Sequence, residues 1–142
     1  MTELPPTPLY QPALHESGLR HTTGQARYVD DLPAPLVAHV LTSPLPRGRI
    51  VRLDVTAARA VPGVRAVLTA RDIPGKNDIA PIFHDEPLLA ESEVFAVGQA
   101  IVLVVGDSYA ACRAGARAVV LELEPLPAVL TLRQAVAEGS YS

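Results

Sequence analysis

Residues 96–129 read AVGQAIVLVVGDSYAACRAGARAVVLELEPLPAV, and the fold turns on how this stretch is parsed. The apolar run 100–105 is rich in β-branched residues, and the turn Gly106-Asp107-Ser108 stops it before a run of small, helix-favouring residues begins. The pattern predicts a buried strand feeding a helix over 109–118. Ser108 is its natural N-cap, because the hydroxyl can accept from a first-turn amide that has no helical partner. On a helical wheel Arg113 and Arg117 share the outer face and Ala111, Gly115 and Ala118 share the other. A face with so little side-chain bulk lets a helix lie very near a sheet. The chain then returns as a strand over 118–124, with Leu121 and Leu123 inward and Glu122 and Glu124 outward. This strand, helix, strand unit is the expected nucleus of the core.

Outward from that nucleus the segments are short and sharply turned. The chain holds 14 Pro in 142 residues, roughly twice the ~5% average. Residues 1–14, with Pro5, Pro6, Pro8 and Pro12, lack the amide donors for regular structure and read as an extended arm; residues 15–142 form the domain proper. Residues 15–28 are polar and turn-prone, with Gly24 at a bend before a short strand that Asp30-Asp31-Leu32-Pro33 closes. A strand is predicted over 36–43, with Val37, His39 and Leu41 on one face, and a half-buried strand over 49–55. Asp54 or Thr56 caps a short helix that Pro62-Gly63 ends, and a strand over 64–69 leads into a capped turn at 69–73. From Pro74 to Glu93 the periodicity fails, so a long structured loop is expected, of the kind that is usually functional or covered by another domain. Thr131 caps a last helix, LRQAVAE, stopped by Gly139. Strands interleaved with two or three short helices, with no βαβαβ rhythm, give an α+β fold and not a doubly wound sheet.

Composition narrows the classes of function. The hydrophobic share of 49% supports one ordinary core, but with 4% aromatics and no Trp it must be built from Ala, Val and Leu with closely approaching backbones. A formal charge of −3, a single lysine (Lys76) and the absence of a basic run argue against nucleic-acid binding. No apolar run approaches the ~20 residues needed to cross a bilayer, and the first residues lack the pattern of a secretory signal. With one cysteine there is no internal disulfide, and a cytoplasmic location is the expectation.

Single residues offer little chemistry. Cys112 sits in the Ala-rich helix, where a thiolate lacks the positive, open surroundings it needs, so a buried structural role is expected. The four His are far apart in sequence with no Cys beside them, which disfavours a zinc site. His84, flanked by Asp85 and Glu86, is the best placed and reads as a solvated loop residue. Gly106-Asp107-Ser108 opens a helix after a strand, but it lacks dinucleotide-fold glycine spacing and a phosphate-binding Lys, and reads as turn plus N-cap. Glu122 and Glu124 read as solvent-facing strand residues rather than a paired acid and base. No catalytic, cofactor-binding or metal-ligating residue is assigned.

Five longer words carry more: TGQARYVDDLP at 23–33, PGVRAVLTARDIPGKND at 62–78, DEPLLA at 85–90, VGQ at 97–99 and LEPLPAVLTLRQA at 123–135. In this order and spacing they resemble the opening of the large, molybdenum-cofactor subunit in the xanthine oxidase and aldehyde oxidase family. The resemblance runs from about His15 to the end and implies an α/β hammerhead domain. It further implies hydroxylation of a purine or aldehyde, xanthine or hypoxanthine in purine catabolism foremost. Electrons would leave through iron-sulfur clusters to FAD. The molybdenum cofactor would sit in the remainder of the large subunit, and the clusters and FAD in a partner subunit or domain of a hetero-oligomer. No cofactor is expected on these residues, and no nucleic acid or membrane partner. The same resemblance brings the loop between the DIPG-like and GQ-like words to the mouth of a substrate funnel, with Ile82 and Phe83 as the apolar pair there. The alternative for Phe83 is to fill the domain's own core. Two other functions stand beside the enzymatic one. A non-catalytic interaction module is one; a biotin or lipoate carrier is the other, disfavoured because Lys76 lies in PGKND without a flanking Met.

Overall fold

The computed structural model describes residues 15–80 and 82–140, so the expected arm at 1–14 lies outside the described residues. They fall into two compact units with the boundary between Ala34 and Pro35.

The first unit holds helix α1 (Gly18–Thr22) and a 3-10 turn at Val29–Asp31. The short strand expected after Gly24 does not form. Gly24 does turn the chain, at φ 71°, but α1 precedes it, and the amides of Gln25 and Ala26 are spent on the Arg20 carbonyl instead of a strand partner. Leu19, Tyr28 and Val29 are exposed, so hydrogen bonds rather than burial shape this unit.

The second unit contains six strands in two antiparallel sheets, which bears out the α+β expectation. One sheet has the order β1-β5-β3, from Val37–Thr42, Ala100–Gly106 and Val64–Leu68. The other has the order β4-β2-β6, from Glu93–Val94, Gly48–Asp54 and Val120–Pro125. Helices α2 (Thr56–Arg59) and α3 (Tyr109–Ala118) pack on the first sheet and on each other, and α4 (Leu132–Glu138) closes the described chain.

β5 explains why its sequence is continuously apolar. It is the central strand of its sheet and is covered on both faces: Val102 and Val104 turn to α3, beside Leu41 and His39 of β1, while Ile101 turns the other way, and all three of its own residues are fully buried. Ala58, Val67, Ala90, Val94, Cys112 and Ala116 complete the cluster, small residues in the main.

Helix α3 begins and ends where the sequence places it. Ser108 is extended and its hydroxyl accepts the Ala111 N–H at 3.2 Å. Arg113 and Arg117 are exposed as expected, but the inner face is rotated from the expected one: Cys112, Gly115 and Ala116 are buried, whereas Ala111 and Ala118 are half-buried. The reason is the approach at Gly115. A Cβ there would stand 2.9 Å from Val64 Cγ2 and 3.0 Å from Val104 Cγ1, so the helix seats on this position and Cys112 follows it inward. The strand after α3 also departs from expectation. β6 starts at Val120 and joins β2, not β5, so α3 connects two sheets and does not return the chain to one.

β2 carries a second irregularity. Its register against β6 shifts between Ile50 and Arg52, leaving Val51 without a cross-strand partner. The bulge lets Ile50 and Leu53 both face inward while Arg49 and Arg52 face out to Glu124 at 3.1 Å and Glu122 at 3.4 Å. Both glutamates are therefore exterior, in exposed ion pairs of little energetic weight.

Candidate functional site

The loop after Ile73 is the longest stretch without regular structure in the second unit, and among the described residues it departs from a simple connection in being tied across its own base. Thr69 and Asp72 start it: a reciprocal capping arrangement, with the Thr69 N–H donating to Asp72 Oδ2 at 2.7 Å, fixes the 3-10 turn Ala70–Asp72. That backbone donor, followed by the Thr69 hydroxyl, holds the Asp72 carboxyl below the usual carboxylate range. Farther on, the Ile79 N–H donates to the Glu86 carbonyl at 2.9 Å and the Ala90 N–H to the Ala100 carbonyl at 2.8 Å, so the loop leaves and rejoins the body at defined points.

Ile82 and Phe83 stand at the far end, 77% and 76% exposed. Phe83 thus does not fill the core of this chain, which removes that alternative. Near the base an open cavity of about 650 Å³ is lined by Ile79, Pro87, Leu88 and Phe95, with Asp85 and Glu86 at its side; Ile82 and Phe83 do not line it. Leu88, Phe95 and Val97 are exposed as well, so the loop and the turn before β5 together present an apolar surface.

His84 is more than a solvated loop residue. Its Nδ1 meets Asp78 Oδ2 at 2.5 Å, and Asp78 also accepts the Ala80 N–H at 3.0 Å. The Ala80 amide, then the His84 hydrogen bond and charge and the charge of Lys76, hold the Asp78 carboxyl low against a smaller opposing effect of burial. Asn77, which the sequence reading passed over, bridges to Leu89; the only signal for it is an amide side chain ahead of an unpaired stretch of backbone.

The remaining chemistry-bearing residues do not converge here. Cys112 is buried, with its thiol donating to the Val37 carbonyl at 3.4 Å, the inert setting expected of it. In the first unit two histidines come together, His15 and His21 with ring centroids 5.9 Å apart, because the turn into α1 places them on neighbouring turns of the chain. His21 bonds Ser17 Oγ through Nε2 at 3.1 Å and the Tyr28 hydroxyl through Nδ1 at 2.8 Å, an exposed polar chain. Among the described residues no three His, Cys, Asp or Glu side chains gather as metal ligands. The cysteine thiolates that an iron-sulfur cluster requires do not fit a chain whose one thiol is enclosed in its core. Among the described residues no helix is long and apolar enough to cross a membrane.

Comparison with known proteins gives this arrangement its setting. Residues 23–127 match the family model described as aldehyde oxidase and xanthine dehydrogenase, a/b hammerhead domain. A xanthine dehydrogenase of Oryza sativa subsp. japonica is 37% identical over 138 residues, covering 95% of this chain and 10% of its own length. Aldehyde oxidase 4 of Cavia porcellus is 39% identical over 141 residues, covering 96% of this chain and again 10% of its own. Among solved structures, the aldehyde oxidoreductase from Desulfovibrio gigas superposes with a TM-score of 0.79 at 32% identity, over 89% of this chain and 16% of that one. The chain spans about a tenth of the length of the curated relatives it matches.

Proposed function

The chain belongs to the aldehyde oxidase and xanthine dehydrogenase family as its α/β hammerhead domain, and from that membership we propose that it is the opening domain, over residues 15–142, of a larger molybdenum hydroxylase subunit. The proposed reaction is hydroxylation of an electron-poor carbon, with xanthine or hypoxanthine in purine catabolism as the leading substrates. The relatives' names support both xanthine and aldehyde chemistry, so an aldehyde stands beside the purines as a substrate class. The molybdenum cofactor would be held by the remainder of the subunit. Iron-sulfur clusters and FAD would be held by a partner subunit or domain, in a cytoplasmic hetero-oligomer. No step of the chemistry is assigned to residues of this chain.

The domain's own part is proposed to be structural support and a border of the substrate entrance. The observation that carries this is the exposure of Ile82 and Phe83 at the end of a loop whose base is tied down. An exposed apolar pair on an anchored backbone supplies contact to a planar substrate and excludes water without performing chemistry. Removing it should therefore raise KM, or shift preference among bulky substrates, while kcat is largely retained, the signature of lost uniform binding. Phe83→Ala in the whole enzyme should change discrimination between substrates by about 1–3 kcal/mol, the scale of part of an apolar pocket. A KM that stays unchanged for both xanthine and a bulky aromatic aldehyde would sink the entrance assignment. The exposed surface of Leu88, Phe95 and Val97 favours a second reading, a non-catalytic interaction module. Reading frame beyond Ser142 separates the two, since an unrelated downstream gene supports only the module.

A further inference from the structure

The end of the loop is apolar, but what holds it is polar and lies at the base. The Asn77 side chain donates to the Leu89 carbonyl at 2.7 Å and accepts the Leu89 N–H at 3.0 Å, closing a ring that paired strands would otherwise close with backbone. The Ile79 N–H to Glu86 carbonyl bond lies just inside it. Asp78, its side chain only 16% exposed, then takes the Ala80 N–H on one oxygen and His84 Nδ1 on the other. His84 sits next to Phe83 in the chain and the Asp85 N–H returns to the Phe83 carbonyl at 3.0 Å, so a tie at His84 limits where Phe83 can go.

We propose that Asn77 and the Asp78–His84 pair are positioning residues that preset Ile82 and Phe83, so that their apolar contact reaches a substrate without the loop first having to be ordered. This rests on the reading of that pair as part of a substrate entrance. The physical basis is entropic. Fixing a residue's backbone costs conformational entropy, and a loop that must order on each binding event loses that from its affinity. Ties already made in the unbound chain place the cost in folding. The charges facing Asp78 are His84 and Lys76, and Asp85 and Glu86 follow His84 in the chain. Because the Asp78 carboxyl is held low, its tie is present above the ordinary carboxylate range and disappears as pH falls through the lowered value.

Amide hydrogen exchange on the 142-residue chain tests the ties directly, with Ile79 as the reporter and the amides of α3 as the control for intact folding. Protection at Ile79 should fall at least tenfold in Asn77→Ala and in His84→Ala, with α3 unchanged. His84→Gln, which keeps a donor, should recover part of it. The wild-type protection should be lost on acidification, and Asp78→Asn should remove that acid-side step. In the whole enzyme His84→Ala should raise KM for a bulky aromatic aldehyde several-fold with kcat retained, and should add little on top of Phe83→Ala. Unchanged Ile79 protection in both alanine variants overturns the positioning role while leaving the entrance reading standing. Lost protection with no KM change in either His84→Ala or Phe83→Ala overturns the entrance reading, and the positioning role goes with it.

Discussion

Helix α3 on its sheet and the loop carrying Ile82 and Phe83 are held in opposite ways. The helix is located by close approach: Gly115 lets it descend onto Val64 and Val104, and Gly106 brings the end of β5 so near the turn before β3 that a Cβ there would stand 2.5 Å from the Gly63 carbonyl oxygen. Packing at that distance admits one arrangement, because interiors are as dense as crystals. Beyond Leu89 and Ala90, buried where it rejoins the body, the loop has almost no such packing and relies on a few directed polar bonds, each severable by one substitution or by protonation. Surface left exposed cannot be fixed by burial, and hydrogen bonds at its base are the means left.

If the contrast is right, the largest effect comes from bulk at the helix. Gly115→Leu should cost at least the ~1–3 kcal/mol typical of overpacking, read as a lowered midpoint in urea. A midpoint equal to that of wild type would mean that α3 does not sit where described. Ser108→Ala should remove about 1 kcal/mol by leaving the Ala111 amide without its acceptor; no change would place the helix start elsewhere.

Acid should act next, and mainly on turns. Four carboxyls are held below their ordinary range: Asp107 by the Arg65 hydrogen bond and charge, and Asp54, Asp72 and Asp78 first by the backbone amides of Thr56, Thr69 and Ala80. A lowered folded pKa contributes stability that is present at neutral pH and lost as pH falls through it, so the urea midpoint should decline below about pH 4. A midpoint as high at pH 3 as at pH 7 would count against these bonds. The smallest effects belong to the exposed side chains. Phe83→Ala and Arg117→Ala should each change stability by no more than about 0.5 kcal/mol, whereas a buried Phe would cost ~3–5 kcal/mol. A loss on that larger scale for Phe83 would show that the loop folds inward.

Legibility followed the same division. β5, α3 and α4 announce themselves through an apolar run, a Ser or Thr cap and a terminal Gly, all local signals, and the structure places them at those residues. The rotation of α3 toward Cys112 and Ala116 was not legible, because it depends on Val64, far away in sequence, meeting Gly115. Neither was the departure of β6 to a second sheet, since Val120–Pro125 alternates identically whichever partner it takes. Of the site, Ile82 and Phe83 came from the resemblance, with the core left open for Phe83, and only the structure shows them exposed; Asn77 was not legible at all, because its role exists only opposite Leu89. α1 was missed for lack of an apolar stripe.

The approach of β5 to the Gly63 turn has a consequence for how this domain tolerates change. What holds Gly106 and Gly115 in the sequence is a prohibition on volume, and a prohibition leaves no trace in any tally of bonds made. A saturation survey scored by survival should therefore find these two positions, which contribute no side-chain interaction at all, less permissive than Val51, a large apolar residue left facing solvent by its bulge. Counting what each residue touches would rank them the other way round.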